Sequence, residues 1–151
     1  MLKGLSPLLN ADVLYVLKSM GHGDYIVFSD LNFPSESVAQ ETVHGNLLRM
    51  ENTTSAQAIA AVLSLMPLDT FIDNAAQRME VVGSPTEMPL VQQEVQKVID
   101  TAEGKHWPLV GVERYAFYDA AKKAYAVIQT GERRFYGCFI LTKGVLPPDA
   151  V

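Results

Sequence analysis

Leu8, Leu9, Val13, Leu14, Val16, Leu17 and Met20 recur at helical spacing, which predicts an amphipathic first helix. Ser6 or Asn10 can cap its start, and Gly21 supplies the stop. The apolar run from Tyr25 to Ser29, rich in aromatic and β-branched residues, reads as a buried strand. Asp30 falls at its C-terminal end, and Asn32-Phe33-Pro34 breaks the pattern. Within 41–50 the pattern predicts a short strand near Thr42-Val43-His44 and a loop. An alanine-rich helix follows from Ser55 to Leu65, ended by Pro67. Thr70–Ile72 and Gln77–Val82 read as short strands, 84–89 as a loop, and Pro89–Ala102 as a helix with Leu90, Val91, Val95, Val98 and Ile99 on one face. Gly104 stops that helix. The remainder predicts a strand at Leu109–Val112, a helix at Tyr115–Lys123, a strand at Tyr125–Thr130, a turn at 131–134 and a final strand at Phe135–Leu141. Strands alternating with helices imply an α/β layered fold, here with a C-terminal hairpin. No repeat or second domain is visible in the 151 residues, a length that suits one domain.

Composition narrows the function classes. Net charge is −5 and no basic block is present, which argues against nucleic acid as a partner because phosphate binding needs clustered Lys and Arg. No apolar stretch reaches the roughly 18 residues of a membrane span. The opening residues lack a signal-peptide apolar core, so a cytoplasmic location is expected. The lone cysteine, Cys138, rules out an internal disulfide. His22, His44 and His106 lie far apart without a metal-ligand spacing, so no metal site is expected. The absence of a Gly-x-Gly-x-x-Gly run or phosphate loop argues against nucleotide cofactors, and no cofactor is expected.

The candidate chemistry begins at Met20-Gly21-His22-Gly23-Asp24. An imidazole between two glycines, at a helix-to-strand junction, suggests a proton-transfer group held in an open turn; the other reading of the residues alone is a histidine that caps a helix or satisfies a turn. Ligands of α/β sheets bind beyond strand C-termini, where Asp30 and Arg114 are expected. His22 precedes its strand and belongs at the opposite end. Either loops fold back to unite His22 with Asp30, or a neighbouring subunit completes the pocket. Carboxylate, guanidinium, imidazole and tyrosine together suit a polyhydroxylated ligand.

Several motifs taken in order give a resemblance. Met1-Leu2-Lys3-Gly4, Ser6-Pro7-Leu8-Leu9, Gly21-His22-Gly23-Asp24, Phe28-Ser29-Asp30 with Asn32-Phe33-Pro34, and Pro67-Leu68-Asp69-Thr70 resemble the RbsD/FucU family. Arg114-Tyr115-Ala116-Phe117-Tyr118, Thr130-Gly131-Glu132-Arg133 with Tyr136-Gly137, and Lys143-Gly144-Val145 do so too. That family contains L-fucose mutarotase and D-ribose pyranase, and the Gly-His-Gly-Asp motif is similar to the fucose branch.

The resemblance implies a single RbsD-like layered α/β/α domain with a mixed sheet over 1–151. It also implies a ring-like homo-oligomer with sites near subunit contacts and a monosaccharide substrate. His22 is implied as the acid/base residue, and Asp30, Arg114, Tyr136, Gly137 and Cys138 as sugar-binding. Cys138 departs from the family pattern, which has Asn there, exchanging an amide for a weak donor and acceptor. The implied reaction is ring opening and reclosure of a reducing sugar, exchanging α and β anomers. Asp30, Tyr136 or a water could complement His22. A pyranose–furanose interconverting pyranase and a non-catalytic sugar-binding accessory protein are the alternatives.

Overall fold

The computed structural model describes residues 1–151. Six strands form one mixed sheet in the order β2-β5-β1-β6-β3-β4. They are β1 (Tyr25–Ser29), β2 (Leu48–Met50), β3 (Ala76–Met79), β4 (Val110–Val112), β5 (Ala126–Thr130) and β6 (Phe139–Thr142). Only β6 runs against its neighbours β1 and β3, while β1–β5, β2–β5 and β3–β4 pair in parallel. The C-terminal ends of the five parallel strands and the start of β6 therefore share one edge of the sheet.

Five helices cover both faces: α1 (Ala11–Ser19), α2 (Ser35–Ala39), α3 (Ser55–Leu63), α4 (Leu90–Glu103) and α5 (Arg114–Lys122). Strand alternation divides the core between them. Ile26, Phe28, Ile128, Phe139 and Leu141 pack against residues of α1, α3 and α4. Val27, Val127 and Ile140 face Val38 of α2 and Phe117 and Ala121 of α5. The result is the expected α/β/α layering. No helix is long and apolar enough to cross a membrane.

Local chemistry explains the helices that the sequence predicts. Asn10 Oδ1 accepts from the Val13 N–H at 3.0 Å and caps α1. Thr54 and Gln57 form a reciprocal capping box on α3. Gly104, at φ 70°, ends α4. Gly21 is not the helix stop. Met20 turns extended at ψ 139°, and Gly23 takes the left-handed conformation at φ 86°.

Other expectations are corrected. Residues 42–44 form no strand. The Thr42 hydroxyl donates to the Ala39 carbonyl and Gly45 turns the chain at φ 77°, so the strand is delayed to Leu48. Thr70–Ile72 is a bend, because Asp69 Oδ1 accepts from the Phe71 N–H in a side-chain-closed turn. The strand expected at Gln77–Val82 is instead Ala76–Met79, since the chain reverses between Val81 and Ser84 around Gly83. The last strand begins at Phe139 rather than Phe135. The C-terminal hairpin does not form, because β1 lies between β5 and β6. Residues 131–138 are thus a loop crossing the end of β1. The α2 helix has no sequence counterpart: at five residues it is too short for a readable period.

Candidate functional site

The edge where the parallel strands end carries a hollow of about 330 Å³. Asp30 sits at its floor, only 4% exposed, directly beyond β1. Its Oδ1 accepts from the Asn32 and Phe33 N–H groups, each at 3.0 Å, and its Oδ2 accepts from the Gly137 N–H at 3.2 Å. Three backbone donors fix a carboxylate that still has lone pairs for a ligand. Arg114 opens α5, whose N-terminus is capped by Glu113. The Glu113 carboxylate accepts from the Tyr115 and Ala116 N–H groups, which holds its pKa below the ordinary range. The Arg114 Nε donates to the Tyr118 hydroxyl at 3.3 Å, and the guanidinium carbon lies 5.5 Å from that ring's centre. This is a cation–π arrangement that orients the fork at the mouth of the hollow.

The loop from β5 to β6 closes the hollow. Glu132, buried beneath it, accepts from Arg134 Nε at 2.8 Å, and Arg134 also grips Glu94 of α4 at 2.7 Å. Burial pushes the Glu132 carboxyl up, but the Arg134 side chain and backbone N–H outweigh it and the net shift is down. Glu94 is also held below its usual range, by Arg134. Gly137 is required by space, because a Cβ there would lie 2.6 Å from Glu132 Cγ. Its carbonyl accepts from the Ser55 hydroxyl at 2.9 Å. Tyr136, preceding it, is the one non-glycine residue with positive φ, at 62°. Its hydroxyl accepts from the Val82 N–H at 3.2 Å. Cys138 lines the hollow as a neutral thiol, since burial and the neighbouring Asp30 carboxylate push its pKa well above normal.

His22 lies at the other edge of the sheet. Its turn is bound to the end of β6, with the Gly23 N–H donating to the Lys143 carbonyl and the Lys143 N–H to the Asp24 carbonyl. Lys143 Nζ also donates to the Leu17 and Met20 carbonyls at the end of α1. The imidazole Nε2 is 3.1 Å from Oδ1 of buried Asp69, with the His22 side chain 41% exposed. The Phe71 N–H holds the Asp69 pKa low; burial opposes this and the His22 contact adds to it. The Phe71 ring meets the imidazole edge-on at 5.3 Å and is itself 71% exposed. At about 3.3 Å per strand residue, β1 separates His22 from Asp30 by roughly 20 Å.

The profile of the RbsD / FucU transport protein family matches residues 3–146. The chain belongs to that family. The fucose mutarotase of Homo sapiens is 44% identical over 149 residues, covering 96% of this chain and 94% of its own length. Among solved structures, protein Atu2016 superposes with a TM-score of 0.95 at 57% identity, covering 97% of each chain. The fucose mutarotase from Streptococcus pneumoniae, solved in complex with L-fucose, has a TM-score of 0.86 at 35% identity, covering 97% of this chain and all of its own.

In this RbsD/FucU chain the structure gathers Asp30, Arg114, Tyr136 and Cys138 around one hollow, with Gly137 in the loop behind them. It leaves His22 outside, and no loop folds back to bring it in. Sequence reasoning missed Phe33, Met79, Tyr118 and Phe135 in the lining. Tyr118 carried a signal: at i+4 from Arg114 on one helix, it had to share that residue's face. Asp69 lies in the Pro67–Thr70 motif, but nothing local linked it to His22: that partnership arises from strand β6 holding residues 68–69 beside the His22 turn.

Proposed function

We propose that residues 1–151 form one cofactor-free sugar mutarotase domain. It interconverts the α and β anomers of L-fucose or a closely related monosaccharide. The observation that carries this reading is the hollow itself. It sits at the small end of ligand-pocket sizes. A buried carboxylate accepts from sugar hydroxyls, a guanidinium donates to them, and aromatic rings offer walls for the apolar face of the ring. The names of the fucose mutarotase relatives support the same substrate class.

The mechanism follows from imidazole chemistry. Asp69 beside Nε2 favours the tautomer protonated there, leaving the Nδ1 lone pair for catalysis. That nitrogen removes the proton of the anomeric hydroxyl. The bond from the anomeric carbon to the ring oxygen breaks, and the ring oxygen takes a proton from Tyr136. The Tyr136 hydroxyl accepts from Val82 and so keeps its own proton to give. The open-chain aldehyde rotates and closes on its other face as both protons return. One placed acid/base group contributes about 10²–10⁴-fold, and the reaction requires no redox partner.

The separation within one chain is met by a second copy. Exposed Phe71 flanks His22 and exposed Phe135, at 73%, rims the hollow. The two unlike patches suit a head-to-tail contact that closes into a ring-like homo-oligomer and carries His22 to a neighbour's Asp30. Buried Cys138, unpaired, suits the reducing cytoplasm.

Saturation-transfer NMR tests the reading directly. Magnetisation transfer between the α and β anomers of L-fucose, abolished by His22→Ala, is the expected result. Line broadening of the sugar without exchange would identify a binding protein instead. Pyranose–furanose exchange of D-ribose in preference to fucose would identify a pyranase.

A further inference from the structure

One fully buried polar side chain is not used by the proposed mechanism. Gln92, in the first turn of α4, has 0% exposure. Its Nε2 donates to the Met79 carbonyl at 2.7 Å and to the Tyr136 carbonyl at 3.1 Å. Its Oε1 accepts from Arg78 Nη1 at 3.3 Å. The amide orientation is therefore determined: a flipped group would set oxygen against two carbonyls and NH2 against a guanidinium.

Arg78 is also buried, and it has no carboxylate partner. Its Nη groups donate to the Pro85 and Glu87 carbonyls and to Gln92, and its Nε is the one buried side-chain polar atom left unbonded. A buried cation without a counter-ion is costly. Here it orients a single amide and ties down the 85–87 loop.

The target of that amide is Tyr136, whose left-handed backbone is unfavourable for a residue with a Cβ and must be held by its surroundings. Two bonds hold it: Gln92 on its carbonyl and the Val82 N–H on its hydroxyl. We infer that Gln92, oriented by Arg78, is a positioning residue that fixes Tyr136 at the hollow. The assignment to catalysis rests on the proposed mutarotase reading; the assignment to the Tyr136 backbone does not.

The substitution Gln92→Glu separates positioning from stability. It preserves shape, places an acid in the first turn of a helix where the dipole favours it, and gives Arg78 the counter-ion it lacks. It also replaces the NH2 facing Met79 and Tyr136 by oxygen. The expected result is a thermal midpoint unchanged or raised, a Tyr136 φ that leaves the positive region in the variant's crystal structure, and anomer exchange at least tenfold slower. A residue serving stability alone would lose activity only in step with its melting temperature. Tyr136 still at positive φ with exchange unchanged, or exchange lost only in proportion to stability, overturns the inference. Should Gln92→Glu fail to fold, Gln92→Met removes the same donors without adding charge; it also takes an acceptor from Arg78, so its melting temperature is expected to fall, and the Tyr136 backbone angle together with exchange below the melting transition are the readouts. If the wild-type chain exchanges no sugar, the mutarotase reading fails, while the Tyr136 backbone angle still decides the positioning role.

Discussion

The two edges of the sheet are built differently, and the contrast shows what each can offer a ligand. The edge bearing Asp30 is concave and rigidly braced. Backbone donors fix Asp30, Arg134 joins Glu132 to Glu94, and the β5–β6 loop is tied to α3 through Ser55. The edge bearing His22 is sparser: one imidazole, contacted by one buried carboxylate and flanked by one exposed phenyl ring. The first edge offers a polar hollow and the second an exposed imidazole about 20 Å away. On the proposed reading neither edge suffices alone, and that is why the proposal calls for a partner copy.

Substitutions at each edge should break that comparison in different ways. The largest effect is expected from His22→Ala. Anomer exchange should fall by about 10²–10⁴-fold, while sugar binding at the Asp30 edge and the melting temperature stay near wild type. Unimpaired exchange by NMR would remove His22 from the reaction. Next is Asp30→Asn, which is expected to weaken a charge-assisted sugar contact by about 1.5–3 kcal/mol, roughly 10–150-fold in Kd. Titration calorimetry with L-fucose checks it, and unchanged affinity would move the sugar out of the hollow.

Bracing is a matter of stability rather than turnover. Glu132→Gln should lower unfolding free energy by about 2 kcal/mol and flatten the acid side of the stability profile. The sign follows from linkage. Glu132 and Glu94 are held below their unfolded pKa values, so their contribution is full above the ordinary carboxylate range and is lost as pH falls through the depressed values. Melting temperatures from about pH 6 to about pH 3 would show this. A variant with an unaltered acid limb would relieve the pair of that role. The smallest effect is expected from Cys138→Asn. Restoring an amide beside Asp30 should tighten sugar binding by about 0.5–1.5 kcal/mol, threefold to tenfold. Weaker binding would show that the thiol is the better fit in this chain.

The Asp30 edge was partly legible in the sequence because its residues sit at element boundaries. Asp30 ends a plain β run, and Arg114 follows a strand and opens a helix. Such positions follow from local pattern alone. The β5–β6 loop was not legible. Phe135, Tyr136 and Cys138 are apolar enough to extend a strand, and only the insertion of β1 between β5 and β6 prevents it. That is a long-range pairing with no local signature. The turn at Gly21–Asp24 was recognised, but which glycine needed positive φ was not, since the hydrogen bonds from β6 decide it. Asp69, Gln92 and Arg78 likewise act through tertiary contacts, and their types alone gave no warning.

The central claim is that one copy's imidazole serves another copy's hollow. Co-expression of His22→Ala with Asp30→Asn tests it most directly, with exchange measured at low L-fucose beside each variant alone. Random head-to-tail mixing places an intact imidazole against an intact carboxylate at about a quarter of contacts, so a matching share of wild-type exchange should return. Activity no greater than the sum of the two separate variants would contradict shared sites.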